Sequence, residues 1–180
     1  MSQSPSPASD TPAPADDRSA RLPPDLLPAE RVALDLPAGS KKKALEEIAR
    51  LLAVPGKPPG ADQIYEKILE RERLGSTGLG RGFALPHARI RGLRNPRGAL
   101  LRLAEAVDFA ARDDEPVDLV FGLLVPEQAE QIHLDLLARL ARLFSDTQRT
   151  SAVRNAASVS EILALLNPPA AEDESTDQRG

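Results

Sequence analysis

Apolar residues recur along this chain with two different periods, and the changes of period mark out its elements. Leu45, Ile48, Leu51 and Leu52 fall three and four apart, Ser40 stands where a hydroxyl can cap a first turn, and Pro55-Gly56 closes the run, so a helix is predicted between them. Ile64, Tyr65, Ile68 and Leu69 make a second helical stripe that stops before Gly75. There the periodicity is lost. Gly75, Gly78, Gly80 and Gly82 crowd into eight residues, which forbids a regular helix and predicts a loop whose backbone comes close to something. Phe83-Ala84-Leu85 reads as a short strand ended by Pro86, which holds Leu85 extended and fixes its own φ just ahead of His87.

Two longer strands follow. Across Ala99 to Val107, Ala99, Leu101, Leu103 and Val107 share one face, and Val117 to Val125 is nearly continuous apolar sequence, which predicts the central strand of the sheet. Glu127 to Phe144 is an amphipathic helix with His133, Leu136, Leu137, Leu140, Leu143 and Phe144 on one side, so His133 lies near its start. A shorter helix is predicted over Thr147 to Ala156, and Ser158 with Glu161 forms a capping box opening a last one, Glu161 to Asn167. Helices interleaved with strands predict an α/β fold: a mixed central β-sheet flanked by helices on both faces in a single domain, with no internal repeat.

The ends differ in kind. Residues 1–24 are rich in Ser, Pro, Ala and Asp, and residues 168–180 open with Pro-Pro and continue as AAEDESTDQRG. The first has hardly an apolar side chain larger than alanine and the second has no core-forming residue to offset the entropy of ordering, so both are predicted as disordered tails around a domain spanning residues 25–167. The length of 180 residues and 41% hydrophobic content suit one domain with its own core. A net charge of -4 argues against wholesale nucleic-acid binding, which leaves a basic footprint across a domain. The absence of cysteine excludes disulfides, thiolate zinc clusters and thiol nucleophiles and fits a reducing compartment, here expected to be the cytoplasm. No apolar run approaches the ~20 residues that span a bilayer, and the N-terminus has no signal-peptide pattern, so membrane insertion and export are not expected.

Charge then locates the chemistry. From Arg71 to Arg97 there are seven arginines (71, 73, 81, 89, 91, 94 and 97) against one acid, Glu72, in a chain that is acidic overall. Within this run lie the hydroxyls of Ser76 and Thr77, several glycine amides and His87. Guanidinium groups and backbone amides match phosphate oxygens, and a neutral imidazole nitrogen can attack phosphorus near physiological pH. Each signal alone has a bland counterpart: arginine-rich loops are commonly solvated surface, glycine-rich loops are commonly turns, and this one is neither a Walker A loop nor a GxGxxG fingerprint. A histidine after proline is commonly a loop residue, and one on an apolar stripe commonly a satisfied helix residue. Their co-occurrence points to phosphate.

The segment ERERLGSTGLGRGFALPHAR, Glu70 to Arg89, resembles the active-site signature of phosphotransferase system enzyme IIA domains of the fructose/mannitol type, above all their nitrogen-regulatory branch. VDLVFGLLVPEQAEQIHLDLLARLARLF, Val117 to Phe144, resembles that family's central strand and histidine-bearing helix, and with SKKKALEEIARLLA the resemblance covers about Leu26 to Leu166. It implies a phosphohistidine phosphocarrier, a phosphotransferase without cofactor or metal. His87 would accept the phosphoryl group, His133 would hydrogen-bond it, and Arg71 would stabilise its charge. Ser76, Thr77, Gly78 and Arg89 are assigned to phosphate binding, with Arg89 left open between facing the phosphate and docking the donor. Ala88 departs from the pattern, since many relatives have glycine there, and adds a methyl group beside a partner's approach.

The implied donor is a phosphorylated HPr-type carrier, charged through an enzyme I by phosphoenolpyruvate. Three functions follow from the resemblance. The first is a nitrogen-regulatory protein whose phosphorylation state governs target proteins, in relatives potassium transporters or sensor kinases. The second is a sugar-specific IIA component passing phosphate to a separate IIB protein; a fused IIB would bring a cysteine, and this chain has none. The third is an interaction module that has lost transfer, against which the presence of both His87 and His133 speaks.

Overall fold

The computed structural model describes residues 21–167. After a short 3-10 helix at Ala29–Arg31 come β1 (Val32–Leu36), α1 (Lys41–Leu52), α2 (Ala61–Glu72), β2 (Gly78–Gly80), β3 (Phe83–Ala84), β4 (His87–Ile90), β5 (Arg97–Val107), β6 (Val117–Pro126), α3 (Glu130–Ser145), α4 (Thr147–Asn155) and α5 (Val159–Leu166). The predicted caps hold α1 and α5: Ser40 Oγ accepts from the Lys43 amide and Ser158 Oγ from the Glu161 amide, each at 3.2 Å. The last helix starts two residues earlier than predicted, and its box is shifted by one position, because Glu161 Oε2 accepts from the amide of Ala157 rather than that of Ser158.

The six strands form one sheet in the order β1-β5-β6-β3-β2, with β4 also paired to β6. The β5–β6 and β2–β3 pairs are antiparallel, while β1 runs parallel to β5 and both β3 and β4 run parallel to β6. The near-continuous apolar run therefore is the central strand. Alternation sorts its neighbours onto two faces: Ala99, Leu101, Leu103 and Val107 join the core under α1 and α2, whereas Leu100 joins the core under α3, α4 and α5 with Leu119, Phe121 and Leu123. Helices thus cover both faces of a mixed sheet.

Several features were not predicted, among them the strand β2 within the glycine-rich segment read as a loop. β1 was not anticipated, because VALDL is short and its partner lies 68 positions along the chain, as the Val32–Leu100 and Ala33–Leu101 pairs show. Leu22, assigned from composition to the N-terminal tail, is buried, and its amide donates to Asn167 Oδ1 at 3.1 Å. The remainder of that tail, 1–20, and the C-terminal tail, 168–180, lie outside the described residues. Finally, the strand before Pro86 does not stop there. Phe83 and Ala84 pair with Leu119 and Val120, His87 and Ala88 with Leu123 and Leu124, in one unbroken register, so β3 and β4 are two halves of a single strand position interrupted at Leu85-Pro86. Pro86 has no amide to give, but its carbonyl still accepts from the Leu123 amide at 3.0 Å. His87 is consequently a strand residue, not a loop residue.

Arg102 ties the second face together. Its Nε and Nη2 donate to both carboxylate oxygens of Asp35, each at 2.9 Å, and Nη1 donates to the carbonyls of Val153, Arg154 and Ala156 at the end of α4. Those carbonyls are among the groups that a helix C-terminus leaves without internal partners. Arg102→Ala is expected to lower the unfolding free energy by about 3 kcal/mol in a urea titration, because it strands buried carbonyls. Asp35→Ala, whose side chain is largely exposed, is expected to cost clearly less.

Candidate functional site

β4 presents alternate residues to opposite faces. Ala88 and Ile90 pack into the core under α1 and α2, which leaves His87 and Arg89 on the face covered by α3, the helix that carries His133. The methyl group of Ala88 therefore points away from His87 into packed side chains and does not narrow the approach to the ring. The two imidazoles lie with ring centroids 5.2 Å apart and planes at 60°. Both are mostly buried, His87 at 8% and His133 at 7% exposure.

The hydrogen bonds assign the ring nitrogens. His87 Nδ1 lies 2.8 Å from the Leu85 carbonyl oxygen, which can only accept, so Nδ1 carries the proton. Nε2 is then an unprotonated acceptor, and Arg71 Nε donates to it at 3.2 Å. Arg71 is itself held by donating from Nη1 to the Gly75 carbonyl at 3.0 Å, where α2 runs into the glycine-rich segment. On the second ring, Arg89 Nε donates to His133 Nδ1 at 3.2 Å, which leaves the proton on Nε2. That Nε2 is buried and has no hydrogen-bond partner among the described residues. Glu130, one turn earlier on α3, lies 3.5 Å from Arg89 Nη2 and steadies the guanidinium.

Burial is the main cause that holds both imidazoles below the ordinary histidine range. For His87 the Arg71 and His133 charges push the same way against the opposing hydrogen bond to Leu85, and for His133 the push comes from Arg89 and Arg71. Both rings are thus neutral at physiological pH, and His87 offers a lone pair at Nε2.

The structure brings His87, His133, Arg71 and Arg89 together. Both hydroxyls and the Gly78 amide of the other predicted phosphate ligands are engaged within the protein: Ser76 Oγ donates to the Phe109 carbonyl at 2.7 Å, the Gly78 amide donates to Ser76 Oγ at 3.1 Å, and the Thr77 hydroxyl donates to Glu72 Oε2 at 2.6 Å. The Thr77 amide also donates to Glu72, at 3.0 Å, and Lys41 completes the set by an ion pair with Glu72 and a hydrogen bond to the Phe109 carbonyl. Sequence reasoning missed Glu72, Lys41 and Glu130. Glu72 had a visible signal as the sole acid in the arginine-rich run, five residues before Thr77; Lys41 and Glu130 look like ordinary helix-start charges. Leu74, Leu79, Ile132 and Leu134 are exposed apolar side chains, and Ile132 and Leu134 flank His133 in the sequence of α3.

The family model for "Phosphoenolpyruvate-dependent sugar phosphotransferase system, EIIA 2" matches residues 25–168. The chain belongs to this family. This EIIA domain is 41% identical over 141 residues to a nitrogen regulatory protein of Pseudomonas aeruginosa, covering 78% of this chain and 92% of the relative. It is 41% identical over 150 residues to a nitrogen regulatory protein of Bradyrhizobium diazoefficiens, covering 81% and 95%. The crystal structure of nitrogen regulatory protein IIA-Ntr from Neisseria meningitidis superposes with a TM-score of 0.75 at 40% identity, covering 79% of this chain and 97% of that one. As an EIIA domain the chain is a phosphotransferase-system component, and no helix among its described residues is long and apolar enough to cross a membrane.

In an NMR titration both imidazoles of the EIIA domain are expected to protonate below the ordinary 6.5, and Arg71→Ala is expected to raise the His87 value by removing a nearby positive charge. Since the unfolded chain takes up protons that the folded rings refuse, stability should be full above the ordinary histidine pKa. It should fall as pH drops through the ordinary histidine value of 6.5 and level off once the folded rings protonate. A urea midpoint that rises on acidification through that window would contradict these environments.

Proposed function

We propose that this EIIA domain is a nitrogen-regulatory phosphocarrier that accepts a phosphoryl group on His87 Nε2 from a phosphorylated HPr-type protein in the cytoplasm. It then governs target proteins by its phosphorylation state. The observation that carries the reading is the pinned His87 ring: Nδ1–H is tied to the Leu85 carbonyl, so the free lone pair sits on Nε2 beside Arg71. In the transfer, that lone pair forms the new N–P bond as the donor histidine's N–P bond breaks and returns its electron pair to the donor ring. No proton has to leave His87, because its proton is on the other nitrogen.

Catalysis in such an in-line exchange is a matter of position and charge. Arg71 would move its donation from Nε2 to the phosphoryl oxygens once phosphorus is bound, and the unpartnered Nε2–H of His133 would donate to another oxygen. Arg89 would act through His133 as a positioning residue, holding the proton on Nε2. Ser76, Thr77 and Gly78, assigned to phosphate from the sequence, would serve by bracing the loop that carries the Arg71 anchor. The exposed Ile132 and Leu134, on either side of His133 in α3, suit the docking of a donor protein. The regulatory branch is favoured over a sugar-specific component handing phosphate to a IIB protein by the nitrogen regulatory relatives at 41% identity.

Incubation with phosphoenolpyruvate, enzyme I and HPr should add one acid-labile phosphate to the full chain and none to His87→Ala, read by intact mass. Failure to label the native chain while HPr itself is charged would leave a binding module instead. Arg71→Ala should keep its fold and slow labelling by about 10²-fold; normal transfer kinetics in that variant would refute its assignment. His133→Ala should slow it by about tenfold or more.

A further inference from the structure

The arginine-rich run divides in space. Arg71 and Arg89 stand at the histidines, but Arg94 and Arg97 lie on the far side of the central strand: Arg97 pairs with Leu124 from one edge of β6 and Ala88 pairs with the same residue from the other. Two strand spacings, about 10 Å, separate the two backbones. At this second place the N-terminal segment, the α1–α2 connection and the β4–β5 connection enclose a cleft of about 760 Å³. Gly98 makes the enclosure possible. Its amide donates to the Leu26 carbonyl at 2.7 Å, drawing the N-terminal segment across the start of β5, and a Cβ there would meet Phe121 Cζ at 2.8 Å and that carbonyl at 3.1 Å.

Arg31, Lys57, Arg94 and Arg97 line this cleft, against one acid, Asp25. None of the four has a side-chain hydrogen bond or ion pair with any described residue, and Nη1 of Arg97 is buried without a partner. Burial and the nearby Arg31 charge both lower the Arg97 pKa. Three other buried or half-buried cations are paired with carboxylates: Arg102 with Asp35, Arg154 with Asp118, Lys41 with Glu72. Gathering four cations around a concavity with a single carboxylate, and burying part of one guanidinium unsatisfied, costs stability that an anion would restore.

Guanidinium groups match phosphate oxygens in pairs, and the volume lies within the ~300–1,000 Å³ typical of small-molecule sites, far more than an inorganic phosphate fills. Pro23, Pro58, Pro96 and Leu93 supply apolar walls for the rest of a ligand. We propose that this cleft binds a small organophosphate, a molecule with at least two phosphate charges at Arg31 and Arg97 and an apolar or ring-bearing body against the prolines. The proposal is independent of the role of His87.

Calorimetric titration of the full chain with inorganic phosphate, pyrophosphate and ADP tests it. ADP and pyrophosphate should bind saturably, ADP about tenfold or more tighter than phosphate, with amide shifts confined to Leu26 and residues 92–98 rather than the histidines. Arg31→Gln with Arg97→Gln should weaken ADP by about tenfold or more. Because Arg97 is partly buried, Lys57→Gln with Arg94→Gln, both on exposed side chains, should also weaken it at unchanged melting temperature and with normal phosphorylation of His87. Absence of binding, binding that survives both pairs of substitutions, ADP no tighter than phosphate, shifts centred on His87, or an equal loss from Arg142→Gln on the distant α3 surface would each overturn the proposal.

Discussion

The hydrogen bond between His87 Nδ1 and the carbonyl two residues earlier sets the terms for everything around it. An imidazole has two nitrogens of similar basicity, and left free it would present either one. Tying Nδ1–H to Leu85 commits the proton and turns the lone pair of Nε2 towards Arg71. That carbonyl is available because Thr77, which accepts from the Leu85 amide, gives its own amide to Glu72 rather than back to Leu85, and Pro86 has no amide at all. A ring that is neutral, oriented and mostly dry then needs only its surroundings to handle the charge of a phosphoryl group.

Those surroundings are held by two separate devices. Arg89 and Glu130 fix His133 from the outside, where the guanidinium is exposed and the ion pair is long. The glycine-rich loop is fixed from within by Glu72, a buried carboxylate that accepts the Thr77 amide and hydroxyl and pairs with Lys41 at the first turn of α1. A buried carboxylate is tolerated only when hydrogen-bonded and paired, and here both conditions are met by groups from two elements. The loop and the end of α2 are thereby joined, and Arg71 sits one residue before the joint.

Long, strongly patterned segments were legible in the sequence because one face of each is buried: both long strands, α1, α2, α3 and the order of helices came out as predicted, with boundaries off by a few residues. The His87–His133 meeting and the placing of Arg71 were legible through the family resemblance. What escaped was non-local. β1 is too short to announce itself and exists through its pairing with β5. The strand across Pro86 is visible only once β6 supplies a common register. Ser76 and Thr77 looked like phosphate ligands because a hydroxyl in a basic, glycine-rich run has that chemistry, but nothing in the local sequence says that Phe109, more than 30 residues on, would receive one of them. Leu22 lies in a stretch whose composition is that of a tail, yet its side chain is buried.

The shared register of β3 and β4 along β6 carries a further consequence. Side chains on a strand alternate, so adding or removing a single residue anywhere between Phe83 and His87 would exchange the two sides of the second half. Ala88 and Ile90 would turn towards α3, and an imidazole and a guanidinium would be driven among the methyl groups under α1 and α2. The spacing of this short stretch is therefore as much a part of the chemistry as the histidine itself, and a change of length there would erase the reactive centre without altering any of its residues.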